Sequence, residues 1–375
     1  MENYNEIAIF MRILRKNGFS NLPGDHQMLN RKLLLGLVLM IFFPHPVSGK
    51  EEIPATEAEA IQRIARIVEE NIRTKAKNGS AHRDAHFKAH GCVKAQFSVL
   101  QLPDNMSVGI FAEAREYPAW IRYSNGSGKV QDDSAGDGRG MSIKLMGVER
   151  SQSGTQDFVM VNHPVFFVKN AADYVEFQQA LAQDSPAKFF FPGPNPLNFR
   201  LHELATVVAI RNKKVVNPLE TQYWSATPYH FGDTAMKFTA RPCEKSMHAT
   251  FTNTTSPNFL RENMQKHLDG SAACFDFMVQ LRTNAVEMPI EDPTVDWNEK
   301  DSPFITVAKI TIPSQQFNTP EQRKFCEDLT FTPWHAMSEH QPLGGINRVR
   351  RVVYETSSRV RHELNGIEQH EPSGF

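Results

Sequence analysis

The residues that first suggest chemistry lie late in the chain, in RVRRVVYETSSRVRHELNG, where Arg350, Tyr354 and Arg361 follow one another at intervals of four and seven. On a helix of 3.6 residues per turn those intervals put all three on one face. A phenol flanked by two guanidiniums is an unusual object. The free tyrosine pKa of about 10 falls when permanent positive charge stands nearby. A phenolate available at neutral pH is suited to be the axial ligand of a haem iron. A solvated basic helix with one tyrosine turned inward would carry the same letters, so other residues must decide.

Three further segments carry reactive side chains. HRDAHFKAHGCVKAQFSV holds Arg83, His86, Lys88 and His90 just ahead of an expected strand. His86 and His90 are four apart, which on a helix makes half a metal site, but the H-E-x-x-H arrangement is absent. AWIRYSNGSGKVQDDSAGDGRGMSIKLMGV is rich in glycine yet lacks the phosphate-cradling G-x-x-x-x-G-K-[ST] pattern, and its glycines do not follow a strand and open a helix. Asp132, Asp133 and Asp137 miss the ordered spacing of a calcium loop. DFVMVNHPVFFVKNAADY places Asn162 before His163 and Pro164, and then Phe166 and Phe167.

Something must hold these residues together. Short segments rich in Val, Ile and Phe, separated by turn residues, predict strands at 93–102, 107–115, 119–128, 140–148, 235–242, 275–282 and 304–312. Helices are expected from Thr56, with Ile61, Ile64, Val68 and Ile72 on one apolar face behind a capping box, to about Lys77. Others should cover Ala171–Ala182, Pro196–Arg211, Thr319–Leu329 and Ile346–Leu364. Strands joined by turns, without regular strand–helix alternation, point to an α+β fold in which an antiparallel β-barrel is surrounded by helices. Residues 50–55 read as a tether, and 50–375 as a single domain.

The 375 residues have the composition of a globular protein, and a net charge of -1 argues against capture of nucleic acid. The 26 Phe against 7 Tyr suit a core or a pocket for a flat apolar ligand. Residues 1–49 read as an N-terminal extension and signal peptide. Arg31 and Lys32 precede the apolar run Leu33–Phe43, and small residues follow to a cleavage site near Gly49; Met28 would give that signal an ordinary length. The run is too short for a stable membrane span. Export, to a periplasm or outside the cell, is therefore expected. Export permits disulfides, but Cys92, Cys243, Cys274 and Cys326 show no C-x-x-C spacing, and bridges and buried free thiols both stay open.

Taken in order, the segments resemble the haem-dependent catalase superfamily. The resemblance rests on Arg83, His86 and Lys88; on Arg122-Tyr123-Ser124; on Arg139-Gly140 with Lys144; on Asn162, Pro164, Phe166 and Phe167; and on Arg350, Tyr354 and Arg361. It covers the chain from Arg83 to Leu364. It implies haem b as cofactor, with Tyr354 binding iron as phenolate and Arg350 supporting that charge. Arg83, Arg122 and Arg361 would meet the haem propionates. On the other face His86 would be the acid/base, Ser124 would hold its ring, Asn162 would orient peroxide and Phe167 would pack beside the pocket. Three departures stand out. The interval from His86 to Phe97 is one residue longer than in catalases, Tyr174 replaces a phenylalanine, and His163 fills a position where a small polar residue is common.

Because the chain runs only a short way past Leu364, the resemblance is to the shortened, peroxidase-like branch without the C-terminal helical domain. It implies reduction of hydrogen peroxide or small organic hydroperoxides by a small organic electron donor, with weak catalase activity beside it. Relatives with the same haem site rearrange fatty-acid hydroperoxides as isomerases or lyases, and a non-catalytic haem-binding protein is a third reading. The superfamily is commonly oligomeric, so a homo-oligomer is also among the expectations.

Overall fold

The computed structural model describes residues 51–77, 79–243 and 254–375, so the expected signal sequence lies outside the described residues. Among the described residues nine antiparallel strands form the sheet: β1 Ala89–Val99, β2 Glu116–Asn125, β3 Arg139–Met146, β4 Thr155–Val161, β5 Tyr223–Trp224, β6 Tyr229–Phe231, β7 Thr234–Pro242, β8 Ala273–Leu281 and β9 Ile305–Ile312. Pairing runs β5-β4-β3-β2-β1-β9-β8-β7, and β5 also pairs with β7, closing an eight-stranded barrel; β6 hangs from β7. The closure is narrow, with Trp224 facing both Val161 of β4 and Thr239 of β7.

Alternation along the strands decides what the barrel contains. Val93, Ala95 and Phe97 of β1, Ala119, Ile121 and Tyr123 of β2, and Met141, Ile143 and Leu145 of β3 are buried in one cluster. At its centre Phe158 lies 4.7 Å from Phe277 and 5.0 Å from Phe238, ring to ring. Much of the phenylalanine surplus is thus spent on a packed barrel interior rather than on a pocket for a flat ligand. The residues between, such as Cys92, Arg122, Ser124 and Lys144, fall on the other face.

Among the described residues seven helices surround it: α1 Glu57–Ala76, α2 Ala171–Ala182, α3 Ala187–Phe190, α4 Leu201–Asn212, α5 Phe259–Gly270, α6 Pro320–Asp328 and α7 Gly345–Asn365. Ile64, Val68 and Ile72 of α1 pack with Val175 of α2 and with Val349 and Val360 of α7. That cluster fixes the long helix that carries Tyr354. Gly366 ends α7 in the left-handed conformation, at φ 63°, and donates to the carbonyls of Glu363 and His362.

Several local expectations need correction. Segment 107–115 is not a strand but a 3-10 turn, Gly109–Phe111, between loops. Gly109 sits at φ 58° with the His340 ring against it, where a Cβ would lie 2.2 Å from Nε2, and that ring accepts the Ile110 N–H at 3.1 Å. The helix expected over Pro196–Arg211 splits into a 3-10 turn at Pro196–Asn198 and α4. Thr56 makes no capping bond. Glu57, the next residue, is instead drawn to Arg348, which takes Glu57 at 2.8 Å, Glu291 at 2.9 Å and Glu51. The start of the supposed tether is therefore pinned to α7.

Arg348 joins the N-terminal segment, α1 and the loop at Glu291 to the first turn of α7. Its replacement would leave three carboxylates close together without their common cation. Arg348→Met is expected to lower stability by about 3 kcal/mol, near the low end of what removing one member of a buried ion pair costs. Urea denaturation followed by circular dichroism measures it.

Candidate active site

Four of the segments singled out in the sequence meet at one end of the barrel, on adjacent strands. His86 stands just before β1 at φ 56°. Its N–H donates to Gly126 O at 3.0 Å and that of Phe87 to Ser127 O at 3.1 Å, so the turn is fixed on the loop after β2. The His86 ring lies 3.1 Å, Nδ1 to Oγ, from Ser124. Ser124 pairs in register with Gly140 of β3. A Cβ on Gly140 would fall 2.7 Å from His86 Nδ1 and 2.9 Å from Ser124 Oγ, so the imidazole lies on a bare stretch of backbone. Burial, with the charges of Arg122 and Arg350, brings the His86 pKa down to about 4. The ring is neutral at pH 7.

Asn162 follows β4. Its Oδ1 accepts the Arg139 N–H at 2.8 Å, while its own N–H donates to Arg139 O at 2.9 Å. Asn162 and His86 are thus both seated on the Arg139-Gly140 backbone. The Asn162 Nδ2 is buried with no partner, a donor left open at the cost of about 1–3 kcal/mol. Beyond it Phe167 is half-buried, its ring 4.7 Å from Phe177 and 4.9 Å from Phe166. Tyr174 on α2 packs 6.3 Å from Phe166, and burial pushes its pKa up to about 12. His163 closes a short turn through Val165 O at 3.2 Å.

His90 has a different place. It is buried, with Nε2 2.8 Å from Asn125 Oδ1, in a polar cluster that contains Lys88, Asp133 and Arg139. Lys88 spends its ammonium on Asp133 at 2.7 Å and on the carbonyls of Gln131 and Pro257. The β1–β2 register slips between Ala89 and Gly91, which makes His90 the residue of a β-bulge. The bulge puts one more residue on β1 than on its partner β2 between His86 and Phe97.

On α7, Arg350 donates to the Tyr354 hydroxyl at 3.4 Å, to Asn347 Oδ1 at 3.0 Å, to Thr227 Oγ1 at 3.2 Å and to the Tyr229 hydroxyl at 3.3 Å. The guanidinium is therefore held in place beside the phenol, and it acts electrostatically on His86 as well. Arg361 turns away from this pair. With Arg83 and Arg122 it converges on Glu327, at the end of α6. Arg83 meets the Glu327 carboxylate at 2.9 Å and Arg122 at 3.9 Å, while Arg361 donates to the Glu327 carbonyl and to Leu329 O at 3.3 Å. Arg122 also donates to His86 O at 2.8 Å.

Glu327 was not visible as a site residue in the sequence, where it stands in a charged helix, EQRKFCED, that reads as solvated. Burial alone would raise its pKa, but Arg83, His82 and Arg122 overrule that and bring it to about 2. Glu327 is the carboxylate the three guanidiniums share, Asp328 acts on Arg361 as well, and positive charge remains in excess. Burial, aggravated by Arg83 and Arg122, lowers Arg361 to about 9. The buried Nε atoms of Arg122 and Arg361 have no partner. Open donors and surplus positive charge fit a group bearing carboxylates. A phenol backed by a fixed guanidinium fits ferric iron. The residues present therefore suit haem.

Residues 59–192 match the family model described as Catalase. No curated protein sequence matches the chain. Among solved structures, a fungal catalase is similar at 16% identity over 78% of this chain, with a TM-score of 0.59; the chain spans only 61% of that catalase's length. A bacterial catalase is similar at 14% identity over 94% of this chain and 70% of its own, TM-score 0.60. Catalase A from Saccharomyces cerevisiae gives 16%, 86% and 69%, with 0.59. At these identities the structures establish the fold, and the matched stretch adds to it the strands and turns that hold Arg83, His86, Arg122, Ser124, Asn162 and Phe167. Over residues 59–192 the chain is similar to the catalase family, and its fold is that of the catalases.

Proposed function

We propose that the protein is a haem-dependent enzyme that reduces hydrogen peroxide or a small organic hydroperoxide, drawing electrons from a small organic donor and retaining weak catalase activity. The observation that carries this reading is a neutral imidazole and an unpartnered amide donor seated on the same backbone, within electrostatic reach of the guanidinium that backs Tyr354. Haem b, when bound, supplies the iron that takes up the oxidising equivalents of the peroxide. Tyr354 would hold that iron through its oxygen, and Arg83, Arg122 and Arg361 would receive the propionates.

The protein's own part is protonic and positional. When His86 Nδ1–H donates to Ser124 Oγ, Nε2 is left as an acceptor. It takes the proton from one peroxide oxygen and returns it to the oxygen that leaves as water or alcohol. A pKa near 4 keeps Nε2 able to accept at neutral pH. Asn162 Nδ2 donates to the peroxide and orients it. Arg350 donates to the Tyr354 oxygen and holds it in place, and Phe167 limits the water beside the pocket. Export of the protein is part of the same proposal. The Cys243–Cys274 disulfide supports it, since such bridges persist in oxidising compartments.

Tyr354→Phe is expected to remove the high-spin ferric haem absorption or weaken it strongly; an unchanged spectrum would exclude Tyr354 as ligand. His86→Ala should keep haem and slow reaction with peroxide by roughly 10²–10⁴-fold, the scale of a positioned acid/base group. His90→Ala should instead cost about 1–3 kcal/mol of stability through the buried Asn125 it leaves behind, with turnover per folded molecule retained. Stopped-flow rates and urea midpoints separate the two. The acid limb of turnover should fall near pH 4 instead of near 6.5, because burial and two guanidiniums hold the His86 proton affinity down. Turnover of a fatty-acid hydroperoxide without any donor would replace the peroxidase reading by the isomerase one.

A further inference from the structure

Two cysteines lie outside the chemistry above. Cys92 is on the outer face of β1, paired in register with Arg122, and Cys326 is in the last turn of α6. Gln322 of α6 donates to Cys92 O at 2.7 Å, which docks the helix on the strand. Both thiols are free and buried in one small cluster with Trp120, Met146, Leu329 and Phe331. The two side chains are hydrogen-bond neighbours within that cluster.

The pair is buried but not sealed. Both cysteines line a cavity of about 310 Å³ whose wall also includes the exposed Val130, Asn318 and Arg323. That volume is several times the roughly 30 Å³ share of a water molecule, so a hydroperoxide fits. Arg83 stands on the other side of Cys326 and donates to its carbonyl at 3.5 Å. Two touching thiols, a solvent-connected cavity and fixed positive charge together form a site for oxidation.

We infer that Cys92 and Cys326 are a peroxide-reactive dithiol, with Cys326 the attacking sulfur and Cys92 the resolving one, that closes reversibly to a disulfide. In the first step the Cys326 thiolate attacks one oxygen of a hydroperoxide and the O–O bond breaks. Cys326 becomes a sulfenic acid, and the other oxygen leaves as alcohol or water after taking a proton. In the second step the Cys92 sulfur attacks the Cys326 sulfur and the S–O bond breaks. The oxygen departs as water with the Cys92 proton. The hydroperoxide gains two electrons and the dithiol loses two, so no other oxidant is needed. The division of roles follows the surroundings. Arg83 is fixed on the Cys326 carbonyl at 3.5 Å, so its positive charge stands beside the Cys326 thiolate, while burial carries the Cys92 pKa up.

The test uses the full chain with its haem, reduced under native conditions with dithiothreitol, freed of reductant and exposed to hydrogen peroxide. Free thiols are then alkylated and the peptides read by mass spectrometry. The expected result is a peptide pair linked through Cys92 and Cys326, released again by dithiothreitol. Tyr354→Phe protein, in which peroxide is not consumed at iron, should form the same link. In Cys92→Ala a sulfenic-acid trap such as dimedone should label Cys326, and in Cys326→Ala it should leave Cys92 unlabelled. Full alkylation of both cysteines after peroxide, in wild type and Tyr354→Phe alike, overturns the proposal while leaving the peroxidase reading intact. Trapping at Cys92 in Cys326→Ala overturns the assigned order. The wild-type arm decides the main point even where a cysteine variant does not fold.

Discussion

One carboxylate, Glu327, joins the two faces of the site. Arg83 stands three residues before His86, and Arg122 holds the His86 carbonyl, so both belong to the imidazole side. Arg361 lies two turns along the helix from Tyr354 and belongs to the phenol side. All three reach the end of α6 through the Glu327 side chain or its main chain. Placing this much charge inside a protein is costly, and an incomplete set is worse than none. The arginine cluster therefore acts as a spacer that sets how the α7 helix stands relative to the barrel end. Its remaining positive charge makes an anionic guest the natural completion of the structure.

The barrel contributes rigidity and a direction. Its interior is filled by aromatic and branched side chains, so no chemistry takes place there. The reactive groups are carried on strand ends and on the turns that leave them, where a backbone locked by hydrogen bonds presents side chains to a space beyond the core. Arg139 shows the economy of this arrangement. Its main chain holds Asn162, and its guanidinium, buried against Asn125 and Asp133, fastens the loop that follows β2. Positioning of the site and packing of the loop are done by one residue.

Most strands were legible because their alternation survives in the letters. Segment 107–115 was misread because its apolar residues serve a turn built around Gly109 and the His340 ring, a contact with a residue more than two hundred positions away. β4 escaped notice because Gln156 and Asp157 interrupt its pattern, and only the fold reveals that Asp157 is buried against Lys144 at 2.8 Å. In the letters His86 differs from His90 by its interval from Arg83, and the fold sets them apart, His86 on Ser124 and His90 on Asn125. Gly140 was part of a motif, yet its reason, the imidazole resting on it, needed coordinates. Glu327 and the Cys92–Cys326 contact carried no local signal, since each depends on partners distant in the chain.

The bulge at His90 has a consequence for how such a chain tolerates change. Inside and outside alternate along a strand, so an added residue would normally reverse every side chain after it and turn the core residues Val93 and Phe97 outward. The bulge absorbs the residue at the mouth of the strand and restores the phase before the core begins. The displaced side chain is received by a polar niche formed by Asn125 and Asp133. The added length next to His86 is taken up as a local kink, with the imidazole on one side and the barrel on the other each left in register.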